Sequence, residues 1–207
     1  MKIVEIKAAE EKPQFDELPP GKFYTKLEDI QRWLDGVKDR LKVNITSIDN
    51  DGTVHVSNDT VFLNSSLFSR LHVKFANDVR IYANPKKGRG HLASLEGFPS
   101  KGRFANVNKN KLTTLIGYPD NTHSAKAEDN HLTTLEGCPK DLSDWGLEVS
   151  NNKKLTSLRH GPTKADRIEA GNCGLTSLDG CAKHLHLLWV PNNKLTSMEG
   201  GPEKAEI

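Results

Sequence analysis

The sequence predicts a solenoid of the α+β class, mostly β, with coils of about 20 residues behind an N-terminal capping helix. Three observations lead there. First, a Leu-Thr-x-Leu phrase recurs: His91–Pro99, Lys111–Pro119, His131–Pro139, Lys154–Pro162, Gly174–Ala182 and Asn193–Pro202 are near-copies. Their first leucines fall at 92, 112, 132, 155, 175 and 195, in steps of 20, 20, 23, 20 and 20. A fixed period of this size marks stacked coils. Second, a pair of aliphatic residues two apart precedes each phrase. Third, a Gly-x-Pro turn or a close variant follows it.

Each part of the coil has a physical reading. Ala105 and Val107, Ala125 and Ala127, Ile168 and Ala170, and Leu188 and Val190 alternate, so each pair points inward from one short strand. Asn110, Asn130, Cys173 and Asn193 then sit at the bend, where a polar side chain can bond backbone groups that would otherwise be buried unpaired. The two leucines close the coil, glycine tolerates the left-handed turn, and proline stops the strand. The fourth copy keeps Leu147, Val149, Asn152 and Leu155, with one extra residue after the asparagine. In the first copy Val79 and Ile81 fill the inward slots and Asn84 the bend, followed by an insertion, Pro85 to His91. Extra residues in a solenoid map to loops on one face.

These residues resemble leucine-rich repeat proteins. More closely, the wording Leu-Thr-x-Leu-Glu-Gly-Cys-Pro is similar to a short repeat family frequent in bacteriophage and bacterial genomes. The likeness spans roughly residues 60–207. It implies a leucine-rich-repeat-like solenoid, a phage- or bacterium-encoded origin, and no catalytic residues to carry over. Upstream, Trp33-Leu34, Asn44–Ile48 and Asp51–Val56 look like the helix and first strands that precede such repeats.

The division expected is residues 1–58 as an arm, capping helix and first strands, and 59–207 as the solenoid. Ile3–Ile6 reads as a short strand in a terminal arm. Thr25 and Glu28 form a capping box, and Leu27, Ile30, Leu34, Val37 and Leu41 follow at helical spacing with Trp33 beside them. That apolar face suits a lid over the first coil. Asn50-Asp51-Gly52 between Val43/Ile45 and Val54/Val56 is a hairpin signal. Val61 and Leu63 give a further strand, and Leu67 and Leu71 a degenerate repeat.

Composition narrows the function. The chain has 207 residues, 35% hydrophobic, 27% charged, formal charge +2. No run of eighteen apolar residues suggests a membrane span, and Met1–Lys7 is not a signal peptide. Cys138 and Cys181 share a turn slot two coils apart, about 10 Å at the strand spacing, too far for a disulfide. A reduced, cytoplasmic protein is expected. Charge concentrates over 70–91, where six basic residues meet only Asp78.

No acid–base or nucleophile set converges, so no enzyme and no cofactor are expected. His184-x-His186 aims two imidazoles to one side, but no third metal ligand is placed by the pattern. Binding is the remaining role. The outward strand residues Arg80, Tyr82, Phe104, Asn106, Lys126, Glu148, Arg167, Glu169 and Trp189 make the candidate concave face. Trp189, between inward Leu188 and Val190, should be an exposed anchor, and Phe104 with Tyr82 a second aromatic cluster. Arg167 with Glu169, and Lys126 with Glu128, read as solvated charge pairs. The basic patch of Arg80 with the loop residues Lys86, Lys87 and Arg89 is the candidate for nucleic acid or nucleotide.

The last turn, at Pro202, is followed by only five residues. The coil of Leu188 and Val190 is therefore expected to be uncapped and covered by a second copy or a partner. The leading expectation is a protein partner, host or viral, held on the concave strands by a non-enzymatic binder such as a phage-encoded inhibitor of a host protein. Nucleic acid on the basic loop and a structural homo-oligomer are the alternatives.

Overall fold

The computed structural model describes residues 45–48, 53–56, 60–62, 74–75, 80–83, 88, 90, 92–95, 98–99 and 101–206. Among the described residues thirteen strands run in order: β1 (Ile45–Ile48), β2 (Thr53–Val56), β3 (Thr60–Phe62), β4 (Lys74–Phe75), β5 (Arg80–Tyr82), β6 (Phe104–Asn106), β7 (Ser124–Lys126), β8 (Asp141–Leu142), β9 (Gly146–Glu148), β10 (Lys164–Ala165), β11 (Arg167–Glu169), β12 (His184–Trp189) and β13 (Lys204–Glu206). The described part is mostly β and contains no helix. The arm, the capping helix over 25–41, the Leu67–Leu71 repeat and the loop residues Lys86, Lys87 and Arg89 lie outside the described residues.

The main body is a parallel β-solenoid. Eight strands stack side by side in the order β13-β12-β11-β9-β7-β6-β5-β3. Each coil contributes one rung, with Ile81, Ala105, Ala125, Leu147, Ile168 and Leu188 in register. The expected hairpin exists: β1 and β2 pair antiparallel, Ile48 opposite Val54, and β4 joins β2 in parallel.

The inward residues form one continuous core. Ala105, Val107, Leu112 and Leu115, and their counterparts Leu147, Val149, Leu155 and Leu158, are completely buried. Burying a leucine side chain stabilises by roughly 1.5–3 kcal/mol, so a thin core of repeated leucines is enough to hold the coils. Where the inward pairs are small, at Ala105, Ala125 and Ala127, the turn residues Phe98 and Tyr118 are large and buried. The Tyr118 hydroxyl accepts a bond from Lys126 N (3.0 Å) and donates to Ala105 O, so it stands between the β7 and β6 backbones. Burial pushes its pKa far up, and it stays a neutral donor.

An asparagine ladder seals the bends. Asn130 donates from Nδ2 to Val107 O of the preceding coil (3.0 Å) and Ala127 O of its own (3.1 Å), while its Oδ1 accepts Leu112 N (3.1 Å). Asn110, Asn152 and Asn193 repeat the scheme. The turns that follow are closed by bonds such as Cys138 N to Leu135 O (2.9 Å). At Gly137 the backbone has φ +87, and a side-chain carbon there would come within 2.3 Å of Leu115 O in the coil below.

The long step from Leu132 to Leu155 disturbs this pattern. Coil four carries the short strand β8, paired in parallel with β10, and the extra residue Lys153. The Lys153 carbonyl occupies space where a side chain at 174 would stand, 2.7 Å from its first carbon, so the lysine slot becomes Gly174. Leu155 N turns back to Asn152 O (3.0 Å) and needs no side-chain acceptor from the next coil. Cys173 can therefore replace asparagine there, its thiol directed at Val149 O (3.3 Å). In coil four His160 takes the glycine slot of the turn at φ +67.

Two expectations are corrected. The inward pair of the first coil is Ile81 and Ala83, because Ile81 pairs with Ala105 and the Ala83 carbonyl receives Asn110. That sets the register two residues away from the Val79/Ile81/Asn84 reading. The coil of Leu188 is covered at its strand, though not at its bend and turn, where Val190 and Leu195 are only partly buried. Strand β13 pairs with β12, His184 opposite Lys204 and Leu187 opposite Glu206, and Leu188 is completely buried. The second leucine slot of that coil, Met198, is 48% exposed.

Candidate binding face

The outward strand residues form two rows. One holds Arg80, Phe104, Ser124, Gly146, Arg167 and Leu187; the other holds Tyr82, Asn106, Lys126, Glu148, Glu169 and Trp189. Strand register thus assembles the nine residues expected on this face, but their roles differ from the expectation.

The centre is an internally neutral charge network. Glu148 is only 6% exposed, and its two oxygens meet Lys126 Nζ at 2.6 Å and Arg167 Nη2 at 2.8 Å. Arg167 Nε is 3.3 Å from Glu169 Oε1, close enough for attraction though not aligned as a hydrogen bond. The partner of Lys126 is Glu148 rather than the expected Glu128, because side chains on one face meet their neighbours one strand over. Glu128 is held by Asn108 Nδ2 (2.8 Å), and partial burial, then the Glu148 charge, push its carboxyl above the usual range. Asn106 is turned to its own strand, accepting Asn108 N at 3.0 Å.

Aromatic groups lie on both sides of this network. Phe104 and Tyr82 form the expected aromatic cluster, their ring centroids 5.3 Å apart; Phe104 is only 7% exposed, packed 6.3 Å from Trp145, with Lys126 Nζ 5.9 Å from its centroid. Trp145 is the exposed member, at 50%. Sequence reasoning misses it because it stands just before the strand, in the lengthened coil, where no periodic slot predicts its direction. The one available signal is a tryptophan inside the long step. Its position is built: Trp145 N donates to His123 O (3.2 Å), His123 Nδ1 pairs with Asp144, and Ser143 bonds Asp141 through N and Oγ. Those Ser143 bonds hold the Asp141 carboxyl below its usual range.

Trp189 is 46% exposed, as an outward residue should be. Its ring lies over Gly171, where an added side-chain carbon would come within 2.8 Å of the ring. Indole and strand floor thus form one step on the surface. His184 and His186 do share an exposed side of β12, and His186 Nδ1 is 2.9 Å from Asp166 Oδ1. Among the described residues no group of three or more His, Cys, Asp or Glu is disposed to hold a metal ion, and no helix is long and apolar enough to cross a membrane. The three cysteines are free and buried, and burial pushes the thiols of Cys138 to about 12 and Cys181 to about 11.

Comparison of the chain with protein-family models, with curated proteins and with solved structures gave no match. The functional reading therefore stands on the chemistry of the faces themselves.

Proposed function

We propose that this protein is a non-enzymatic binding module that recognises another protein through the outward face of its solenoid sheet. The observation that carries the reading is the pair of half-exposed indoles, Trp145 and Trp189, on either side of a self-neutralised charge network. Large aromatic side chains at the middle of an otherwise inert patch are the usual energetic anchors of protein interfaces. Trp145 and Trp189 belong to coils two strands apart, about 10 Å at the strand spacing. The rigid solenoid holds both in place before any partner arrives, which lowers the ordering cost of association.

The finer reading is a leucine-rich-repeat-type protein with a helical N-terminal lid, encoded by a phage or bacterium, cytoplasmic, and directed at a host protein. The repeat wording supports it. The test is affinity capture from host extract with the intact chain and with a Trp145→Ala/Trp189→Ala variant. One host protein retained by the first, with at least tenfold weaker binding to the second, is the expected outcome. Equal retention by both moves recognition off the sheet face.

A further inference from the structure

A second surface has a different character from the sheet. Cations on the sheet face are matched by acids: Lys126 and Arg167 by Glu148 and Glu169. Elsewhere Lys164 meets Asp141 and Arg159 meets Asp179. At the bends where the strands leave the sheet the balance reverses. These segments carry Lys109, Lys111, Lys153, Lys154 and Lys194 against Glu128 and Asp129. All five lysines are exposed, and none has an acidic partner among the described residues.

The bends stack, so these side chains form a strip. The strip runs from coil two to coil six, four rungs of about 4.8 Å, or roughly 19 Å. At its middle, Asp129, Asn130, His131, Asn151, Lys153 and Lys154 line a shallow depression of about 350 Å³. Its cause is the extra residue of coil four, which doubles the lysine there. The other polar members of the strip include Asn108, Asn151, Asn172 and Asn192, with Asn192 Nδ2 bonded to Asn172 Oδ1 at 3.0 Å, and at its coil-five and coil-six end it borders Trp189, whose ring lies over Gly171.

We infer that this bend strip, centred on the Lys153/Lys154 depression, is a binding surface for the phosphate backbone of nucleic acid, engaged without reading the bases. Lysine ammoniums and side-chain amides are the groups that contact phosphate oxygens. An acidic protein segment would match the charge, but the Lys153/Lys154 depression offers none of the apolar anchors that protein interfaces rely on. It holds no Trp, Tyr or Phe on which bases could stack, which favours duplex over single strands. Asp129 lines the same depression and opposes a phosphate there.

The experiment is fluorescence anisotropy of the full chain with two labelled 24-base-pair DNA duplexes of unrelated sequence, titrated from 50 to 200 mM NaCl. Both duplexes should bind alike, with Kd on the order of 10⁻⁵ M at about 150 mM NaCl, within the non-specific range. Five phosphate contacts predict a log–log salt slope of about −4.5. Lys153→Gln/Lys154→Gln should weaken binding about tenfold at 50 mM and reduce the slope by about 2, while Asp129→Asn should tighten it a few-fold. The substituted lysines are exposed, so thermal unfolding of the variants should match the parent. The inference fails if no duplex binds at 50 mM NaCl, or if polyglutamate binds in its place. It also fails if binding survives Lys153→Gln/Lys154→Gln but is lost in Lys86→Gln/Lys87→Gln/Arg89→Gln. Trp145→Ala, at the far end of the strands from the bends, should leave duplex binding unchanged, which separates this surface from the sheet face.

Discussion

Coils two and three differ from coils four and five in one informative way. In the first pair the repeat is strict: a constant step, asparagine at each bend, glycine at each left-handed turn. In the second pair a lengthened coil is followed by Cys173 at the bend, and His160 takes the turn glycine's place. Both pairs stack in the same sheet and bury the same leucines. What the repeat preserves is therefore the pairing of backbone donors and acceptors rather than particular side chains. Lys153 lets Leu155 N find Asn152 O, and the acceptor that asparagine would have supplied at 173 becomes unnecessary. The same irregularity carries Trp145 and the Lys153/Lys154 pair, so the surface chemistry collects where the period is broken.

The sharpest test removes the bend side chain on each side of the comparison. Asn130→Ala leaves buried Leu112 N unpaired and takes one of two amide donors from the carbonyls of Val107 and Ala127, which keep Asn110 Nδ2 and Asn152 Nδ2. At about 1–3 kcal/mol for a buried unpaired group, with a smaller loss at each carbonyl, the cost should be about 2–3 kcal/mol in urea unfolding. Cys173→Ala removes only a weak thiol bond and a small packing volume, and should cost about 1 kcal/mol or less. Equal costs would break the argument from compensation.

The turn slot gives the next largest effect. Gly137→Ala places a carbon against Leu115 O at a left-handed φ and should cost about 2–3 kcal/mol. His160→Gly should go the other way, relieving a strained left-handed residue by about 1 kcal/mol less the entropy glycine adds to the unfolded chain. A net change between zero and a few tenths of a kcal/mol stabilising, read as a small rise in the urea midpoint, is expected.

The smallest effect near neutrality is the buried thiols. Their pKa values are raised in the folded state, from 9.0 to about 12 at Cys138 and about 11 at Cys181. The stability tied to keeping them protonated is fully present below pH 9. It declines by about 1.4 kcal/mol per pH unit for each thiol as pH rises toward the folded values. A Cys138→Ala/Cys181→Ala chain should show a flatter alkaline limb in its pH–stability curve and an unchanged slope between pH 6 and 8.

The register of coils two to six was legible because period-2 alternation and a near-constant step leave no freedom about which residues face in. What lay off that lattice was not legible. Alternation sets Phe104 outward, which is correct, yet cannot say that Trp145 from a lengthened coil covers it. It puts Lys126 and Glu128 on one face, but the cation's partner lies one rung away at Glu148. Lys111, Lys154 and Lys194 share the slot before the repeat leucine, but the strip as a whole escaped because Lys109 and Lys153 lie off that slot and window sums cancel the lysines against acids that fold to other faces.

The asparagine ladder also has a direction. Each amide reaches back, so Asn130 completes coil two and Asn152 completes coil three. A coil is finished only when its successor has been made. On a ribosome, which delivers the N-terminal end first, every newly emerged coil waits with unpaired backbone groups for the coil that follows it. Assembly should then advance like a zip closing towards the C-terminus, except at coil four, where Leu155 N is already paired with Asn152 O of its own coil and does not wait for coil five.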